Sequence, residues 1–133
     1  MQANQFQSME LKSSSKLNAL IVDDTVAVRL YLKRILQELG VQQVFEASDG
    51  VHAEAIFLQQ QPQLVFLDIQ LPDVNGQVLL EKFRRRDQHS HIFMISAYSS
   101  VDNLKAAVAG GAEAFVVKPF TAERISNLVQ PLL

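Results

Sequence analysis

Asp23 and Asp24, Asp68, Ser96 and Lys118 each stand at the carboxyl end of a separate apolar run, and Pro119 follows the lysine. Brought to one sheet edge, these groups have the chemistry of a site for a divalent cation and a phosphoryl group. Close carboxylates repel one another by about 4 kcal/mol per pair at an effective dielectric of about 20, so something positive belongs among them. Magnesium suits the set, because it takes oxygen ligands, commonly one or two carboxylates with waters and a phosphate; calcium asks for more protein oxygens. Zinc does not fit, since there is no cysteine and His52, His89 and His91 lie outside the strand-end set. With the cation and Lys118 neutralising the transferring oxygens, Asp68 can attack a phosphorus in line and become an aspartyl phosphate. Ser96 and the backbone N–H groups beyond it, next to small Ala97, can donate to the phosphoryl oxygens.

Singly, each residue has a plainer reading. Asp23-Asp24 suits a turn and helix cap, Asp68 a satisfied turn, Ser96 an ordinary strand end, and Lys118 a surface position. Two details sharpen the site reading. Asp68 directly follows Leu64–Leu67, the most apolar run of the chain. Pro119 confines Lys118 to extended backbone, which directs its amine from the strand end. The conjunction over four runs carries the argument.

Two periodicities alternate from Leu17 onward and supply the elements that must position these groups. Leu17 to Val22 reads as a strand buried on both faces, and Val28, Leu32, Ile35, Leu36 and Leu39 recur at helical spacing before Gly40. Val41 to Ala47 reads as a strand; Ala53, Ile56 and Phe57 mark a helix that stops before Pro62. After Leu64–Leu67 come the turn formers Pro72, Asp73, Asn75 and Gly76, then Leu79, Leu80 and Phe83 on one helical face. His91 to Ile95 predicts a strand, and Val101, Leu104 and Val108 a helix ended by Gly110-Gly111. Ala114 to Val117 returns to strand. A last helix starts after Thr121 as N-cap, with Phe120 and Ile125 spaced as a hydrophobic staple and Leu128, Val129 and Leu132 continuing its face. Alternating strands and helices predict an α/β fold, a doubly wound parallel sheet with helices on both faces, whose ligands bind outside the carboxyl ends of the strands.

The 133 residues predict one domain, with 48% hydrophobic residues to fill a core. A net charge of −2 gives no basic field for nucleic acid or for a membrane surface, and no apolar stretch is long enough to span a bilayer. The simplest reading is a soluble, cytoplasmic protein. Residues 1–16, rich in glutamine and serine, read as a flexible N-terminal extension. Arg84-Arg85-Arg86 reads either as an acidic-partner site or as a solvated helix end, where bases suit the dipole.

Over Leu17 to Leu133 the chain resembles the receiver domain of two-component response regulators. The resemblance rests on Asp23-Asp24, Asp68, Leu71-Pro72 and Gly76 in the following loop, Ser96-Ala97, and Lys118-Pro119-Phe120. It implies a flavodoxin-like five-stranded sheet in the order 2-1-3-4-5, for which the family supplies a standard example. It implies further that a histidine kinase or a histidine phosphotransfer protein donates a phosphoryl group to Asp68. Mg2+ would be held by Asp23, Asp24, Asp68 and the backbone carbonyl of Gln70. Ser96 would then move inward and Phe115, where many relatives carry tyrosine, would change rotamer. Gln70 and Tyr98 occupy positions that tune phosphoryl lifetime in the family; a bulky Tyr98 shields the group, touches a partner, or simply faces solvent. The face formed by the fourth helix, fifth strand and fifth helix is implied to meet a downstream target protein or a second copy. No output segment follows Leu133, which predicts a single-domain regulator acting through protein contacts.

Two rivals bear comparison. A haloacid dehalogenase-like phosphatase also uses an aspartyl phosphate but needs a second acid two residues on, where this chain has Gln70. A receiver-like adaptor that binds partners without phosphorylation usually lacks an acid or the lysine; here all are present.

Overall fold

The computed structural model describes residues 17–133; the extension read for residues 1–16 lies outside them. Five strands, β1 (Asn18–Val22), β2 (Gln43–Ala47), β3 (Leu64–Asp68), β4 (His91–Ser96) and β5 (Ala114–Val117), alternate with helices. The helices are α1 (Val26–Glu38), α2 (Gly50–Gln60), α3 (Gly76–Arg86), α4 (Val101–Ala109) and α5 (Ala122–Val129), with a 3-10 turn at Gln130–Leu132. All neighbouring strands pair in parallel, in the order β2-β1-β3-β4-β5.

Successive side chains of a strand point to opposite faces, so apolar strands without alternation need cover on both. One face carries Leu20, Val22, Val65, Leu67, Ile92 and Met94, packed against Ala53 and Phe57 of α2, Leu79, Leu80 and Phe83 of α3, and Ala107 of α4. Phe57 and Phe83 stack there at 4.0 Å, tying α2 to α3. The other face carries Ala19, Ile21, Leu64, Phe66, Phe93, Ile95 and Val116 under Leu32, Ile35 and Leu36 of α1 and Ile125 and Val129 of α5. Each large residue so buried contributes about 1.5–3 kcal/mol.

Local signals place most helix ends. Gly40, at φ 98°, closes α1: its N–H donates to Gln37 O at 3.1 Å and that of Val41 to Leu36 O at 3.0 Å, the paired C-terminal closure that favours glycine. Thr121 Oγ1 accepts from Arg124 N at 3.0 Å and caps α5, while Phe120 packs beside buried Ile125 as the staple requires.

The predicted fourth helix forms with an unexpected orientation, and one expectation changes. The stripe Val101, Leu104 and Val108 does form a helical face, but it looks outward at 64%, 39% and 73% exposure; α4 buries Ala107 instead. The small side chain lets α4 approach the sheet, leaving its large apolar residues free. Arg84 is not part of a solvated helix end, because its guanidinium donates to Ser90 O at 2.5 Å and to Gly111 O at 2.8 Å. It ties the end of α3 to both ends of the β4–α4 unit, and burial lowers its pKa.

Candidate functional site

Register brings the chemistry into one row. Val22 lies opposite Leu67, Asp68 opposite Ile95, and Ser96 opposite Val117. The next residues, Asp23 and Lys118, therefore emerge beside Asp68 and Ser96 at the carboxyl edge of the three central strands and β5. The position of β1 between β2 and β3 makes the β1/β3 boundary the switch point of the sheet, where loops diverge to opposite faces and leave a crevice.

Asp23 is fully buried and Asp68 is 4% exposed, whereas Asp24 faces solvent. One carboxylate oxygen from each lies within 4.8 Å of the others. Lys118 Nζ bridges two of them, at 2.5 Å from Asp23 Oδ2 and 3.0 Å from Asp68 Oδ2. Burial raises the pKa of Asp68, and the Asp23 charge adds to this against the opposing pull of Lys118. Burial pulls the Lys118 amine down, but its hydrogen bonds and charge contacts with Asp23 and Asp68 prevail and raise its pKa. Lys118 is thus shared by Asp23 and Asp68, and Asp24 adds a third negative charge beside them. The ligand set is all hard oxygen with an open side at Asp24, which fits magnesium, and Asp23, Asp24 and Asp68 are the side chains that can hold it.

The loop after β3 is shaped by Gly76. A Cβ on Gly76 would lie 2.0 Å from Asp68 O and 2.8 Å from Ile69 Cα, so only glycine lets α3 start against the end of β3. Gly76 N donates to Ile69 O, and Gln70 pairs with Asn75 across the turn. The N–H of Gln70 donates to Asp68 Oδ1 at 3.2 Å, and its side chain is exposed. On the far side, Ser96 is fully buried and its Oγ accepts from Tyr98 N at 3.0 Å. Tyr98 is 57% exposed. Phe115 is half-buried and packs on the core beneath α2 to α4, away from the carboxylates. Lys118 reaches Pro119 through a cis peptide bond.

Sequence reading missed the supports of this cluster. Arg29 on α1 donates to Asp23 O at 2.7 Å and to Glu46 at 3.1 Å, and Lys33 joins Glu46 at 3.3 Å. Glu46 was the available signal, the one charge in β2 and directly before buried Ala47. Asp73, read only as a turn former, accepts from Gly50 N at 2.8 Å and Val51 N at 3.0 Å, so it pins the β3–α3 loop to the start of α2. Asp49 caps α2 by accepting from His52 N.

Comparison with known proteins agrees with this geometry. The family model for the response regulator receiver domain matches residues 19–130. The chemotaxis protein CheY of Bacillus subtilis is 34% identical over 86% of this chain and 95% of its own. Sporulation initiation phosphotransferase F of the same organism is 30% identical over 86% and 91%. Among solved structures, a CheY-like receiver domain protein from Methanospirillum hungatei superposes with a TM-score of 0.82 at 28% identity, covering 87% of this chain and 92% of its own. The CheX-CheY-BeF3-Mg+2 complex from Borrelia burgdorferi also gives 0.82 at 28% identity, covering 88% and 90%. No helix among the described residues is long and apolar enough to cross a membrane. With the sheet order, the edge cluster and the matched span in agreement, the chain belongs to the response regulator receiver domain family.

Proposed function

We propose that this receiver accepts a phosphoryl group from a phosphohistidine donor onto Asp68 in a magnesium-dependent reaction and changes conformation to control a partner protein. The observation that carries the reading is a nearly buried Asp68 held 3.0 Å from Lys118 and within 4.8 Å of an acidic pair. A carboxylate oxygen of Asp68 attacks phosphorus, the phosphorus–nitrogen bond of the donor breaks, and its electron pair returns to the imidazole. Bound magnesium, held by Asp23, Asp24, Asp68 and the Gln70 carbonyl, supplies charge neutralisation for the carboxylates and the phosphoryl oxygens. Lys118 contributes the same from the protein side. The deep position of Asp23 and Asp68 limits water access, favouring storage of the group over rapid turnover, with Gln70 and Tyr98 at the mouth setting its lifetime.

The switch runs through Ser96 and Phe115. As Ser96 is drawn inward to donate to a phosphoryl oxygen its Oγ leaves the Tyr98 N–H, and Phe115 repacks as the β4–α4 loop follows. The phosphoryl group shifts this equilibrium only as far as it binds one packing better. The donor is a histidine kinase or histidine phosphotransfer protein in the cytoplasm. The outward Val101, Leu104 and Val108 of α4, with Val117 of β5 at 44% exposure, support an α4-β5-α5 face that meets a downstream protein or a second copy of the chain. The test is incubation with magnesium and a small phosphodonor. Wild type is expected to take up one phosphoryl group and Asp68→Ala none; a wild type that neither labels nor binds magnesium would sink the reading.

A further inference from the structure

Helix α4 is lightly held. Ala107 is its one buried residue, and its large apolar side chains face outward. What positions its first turn is a chain of polar contacts that begins at Ser96. Ser96 Oγ accepts from Tyr98 N at 3.0 Å; Tyr98 O accepts from Asn103 Nδ2 at 3.2 Å; Asn103 O accepts from Gln77 Nε2 of α3 at 3.1 Å. Asn103 N also donates to Ser100 Oγ at 3.1 Å, so the residue is fixed at the helix cap as well.

Gln77 is committed to this arrangement at a cost. Its Oε1 is buried and accepts no hydrogen bond from a protein group, the single such side-chain atom among the described residues. Turning the amide over would set its oxygen against Asn103 O, two acceptors face to face, so Nε2 must point to α4. A buried acceptor left unmet raises the energy of the state that contains it.

We propose that Asn103 is a positioning residue that couples Ser96 to α4 and, through its contact with Tyr98 O, holds the helix in the phosphoryl-free orientation, while the unmet acceptor of Gln77 makes that orientation easier to leave. The inference rests on the phosphoacceptor reading above. When Ser96 is drawn inward to a phosphoryl oxygen its Oγ leaves Tyr98 N, and the Tyr98 backbone is released. The Asn103 contact then goes, and α4 leaves Gln77, which frees the amide to satisfy both its ends. Because the relay belongs to one state, weakening it shifts the equilibrium toward the other.

The test uses Asn103→Asp and Asn103→Leu, near-isosteric changes that remove the side-chain donor to Tyr98 O; the new acid lies in the first turn of α4, where negative charge suits the helix, and the leucine controls for that charge. Beryllofluoride is titrated at saturating magnesium, with amide hydrogen exchange of residues 98–109 as readout, and magnesium affinity is measured alone. Each variant is expected to bind beryllofluoride about three- to tenfold more tightly, the effect of one net hydrogen bond. Magnesium affinity should stay unchanged, and exchange in α4 should be faster before beryllofluoride is added. A purely structural role would not raise beryllofluoride affinity. Variants that match wild type, or bind more weakly, overturn the relay while leaving the phosphoacceptor reading intact. A wild type without a beryllofluoride response overturns both.

Discussion

Asp68→Asn should stabilise the metal-free protein. In the fold, Asp68 feels two opposing charge effects. Its oxygen lies within 4.8 Å of those of Asp23 and Asp24, which at an effective dielectric of about 20 gives about 3.5 kcal/mol of repulsion from buried Asp23 and less from solvent-screened Asp24. Lys118 at 3.0 Å returns about 5.5 kcal/mol of attraction on the same scale. These nearly cancel, so burial decides the sign, in keeping with desolvation as the main cause of its raised pKa. Asparagine keeps the size, removes the charge, and leaves Lys118 paired with Asp23 at 2.5 Å. The net gain is about 1 kcal/mol, or about 4 °C in Tm for a domain of this size. Differential scanning calorimetry in chelator checks it. Adding magnesium should then close or reverse the gap, because wild type keeps a ligand that the variant lacks, and a ligand at a hundred times its Kd stabilises by about 2.7 kcal/mol. An Asn variant less stable than wild type in chelator would refute the reasoning, since the Lys118 pair would then outweigh burial.

The same residue sets a pH dependence. The folded pKa of Asp68 lies above its ordinary 3.8, so its favourable contribution is complete below 3.8 and is lost as pH rises through the folded value. Wild type and Asp68→Asn should therefore have closest stabilities in acid and diverge toward neutrality in metal-free denaturant titrations; divergence in the opposite direction would contradict it. Lys118→Met should cost about 3–5 kcal/mol without metal, by leaving the fully buried Asp23 unpaired, and magnesium should restore part of the loss. Equal wild-type and variant unfolding midpoints in chelator would count against that. The raised pKa of Lys118 makes its contribution complete below the ordinary 10.5 and lost above the folded value, so alkaline unfolding of wild type should show a step that Lys118→Met lacks. Gly76→Ala should destabilise by about 3 kcal/mol, because the new methyl meets Asp68 and Ile69 backbone that cannot yield; a change under about 0.5 kcal/mol, the usual size at uninvolved positions, would show that the loop relaxes.

Strand-buried runs and their terminal polar residues made the fold class and the site legible together. In a parallel sheet the polar residue that ends each apolar run must emerge on the same edge, so Asp23, Asp68, Ser96 and Lys118 could be grouped without coordinates. Strand order came from the family resemblance, because apolar content alone does not say which strand is central. Periodicity placed α4 but not its buried side. Val101, Leu104 and Val108 have the spacing of a core stripe, yet the core accepts Ala107, and spacing cannot distinguish a face packed inward from one kept for a partner. The supports were the least legible. Arg29 acts on the Asp23 carbonyl across the β1–α1 turn and Asp73 on N–H groups of the distant α2 start, and such contacts depend on loop paths that no residue pattern encodes. Asn103 and Gln77 were unreadable for the same reason: each is ordinary on its own helix, and their meaning lies in the packing of α3 against α4.

The central claim is that Asp68 carries the phosphoryl group. Reductive trapping tests it most directly: after reaction with a small phosphodonor and magnesium, borohydride converts an aspartyl phosphate to homoserine, and peptide mass spectrometry locates the change. Homoserine at position 68, dependent on magnesium and on the phosphodonor, is the predicted result. No conversion in the intact protein, or conversion at Asp23 or Asp24 with Asp68 unchanged, would contradict the account.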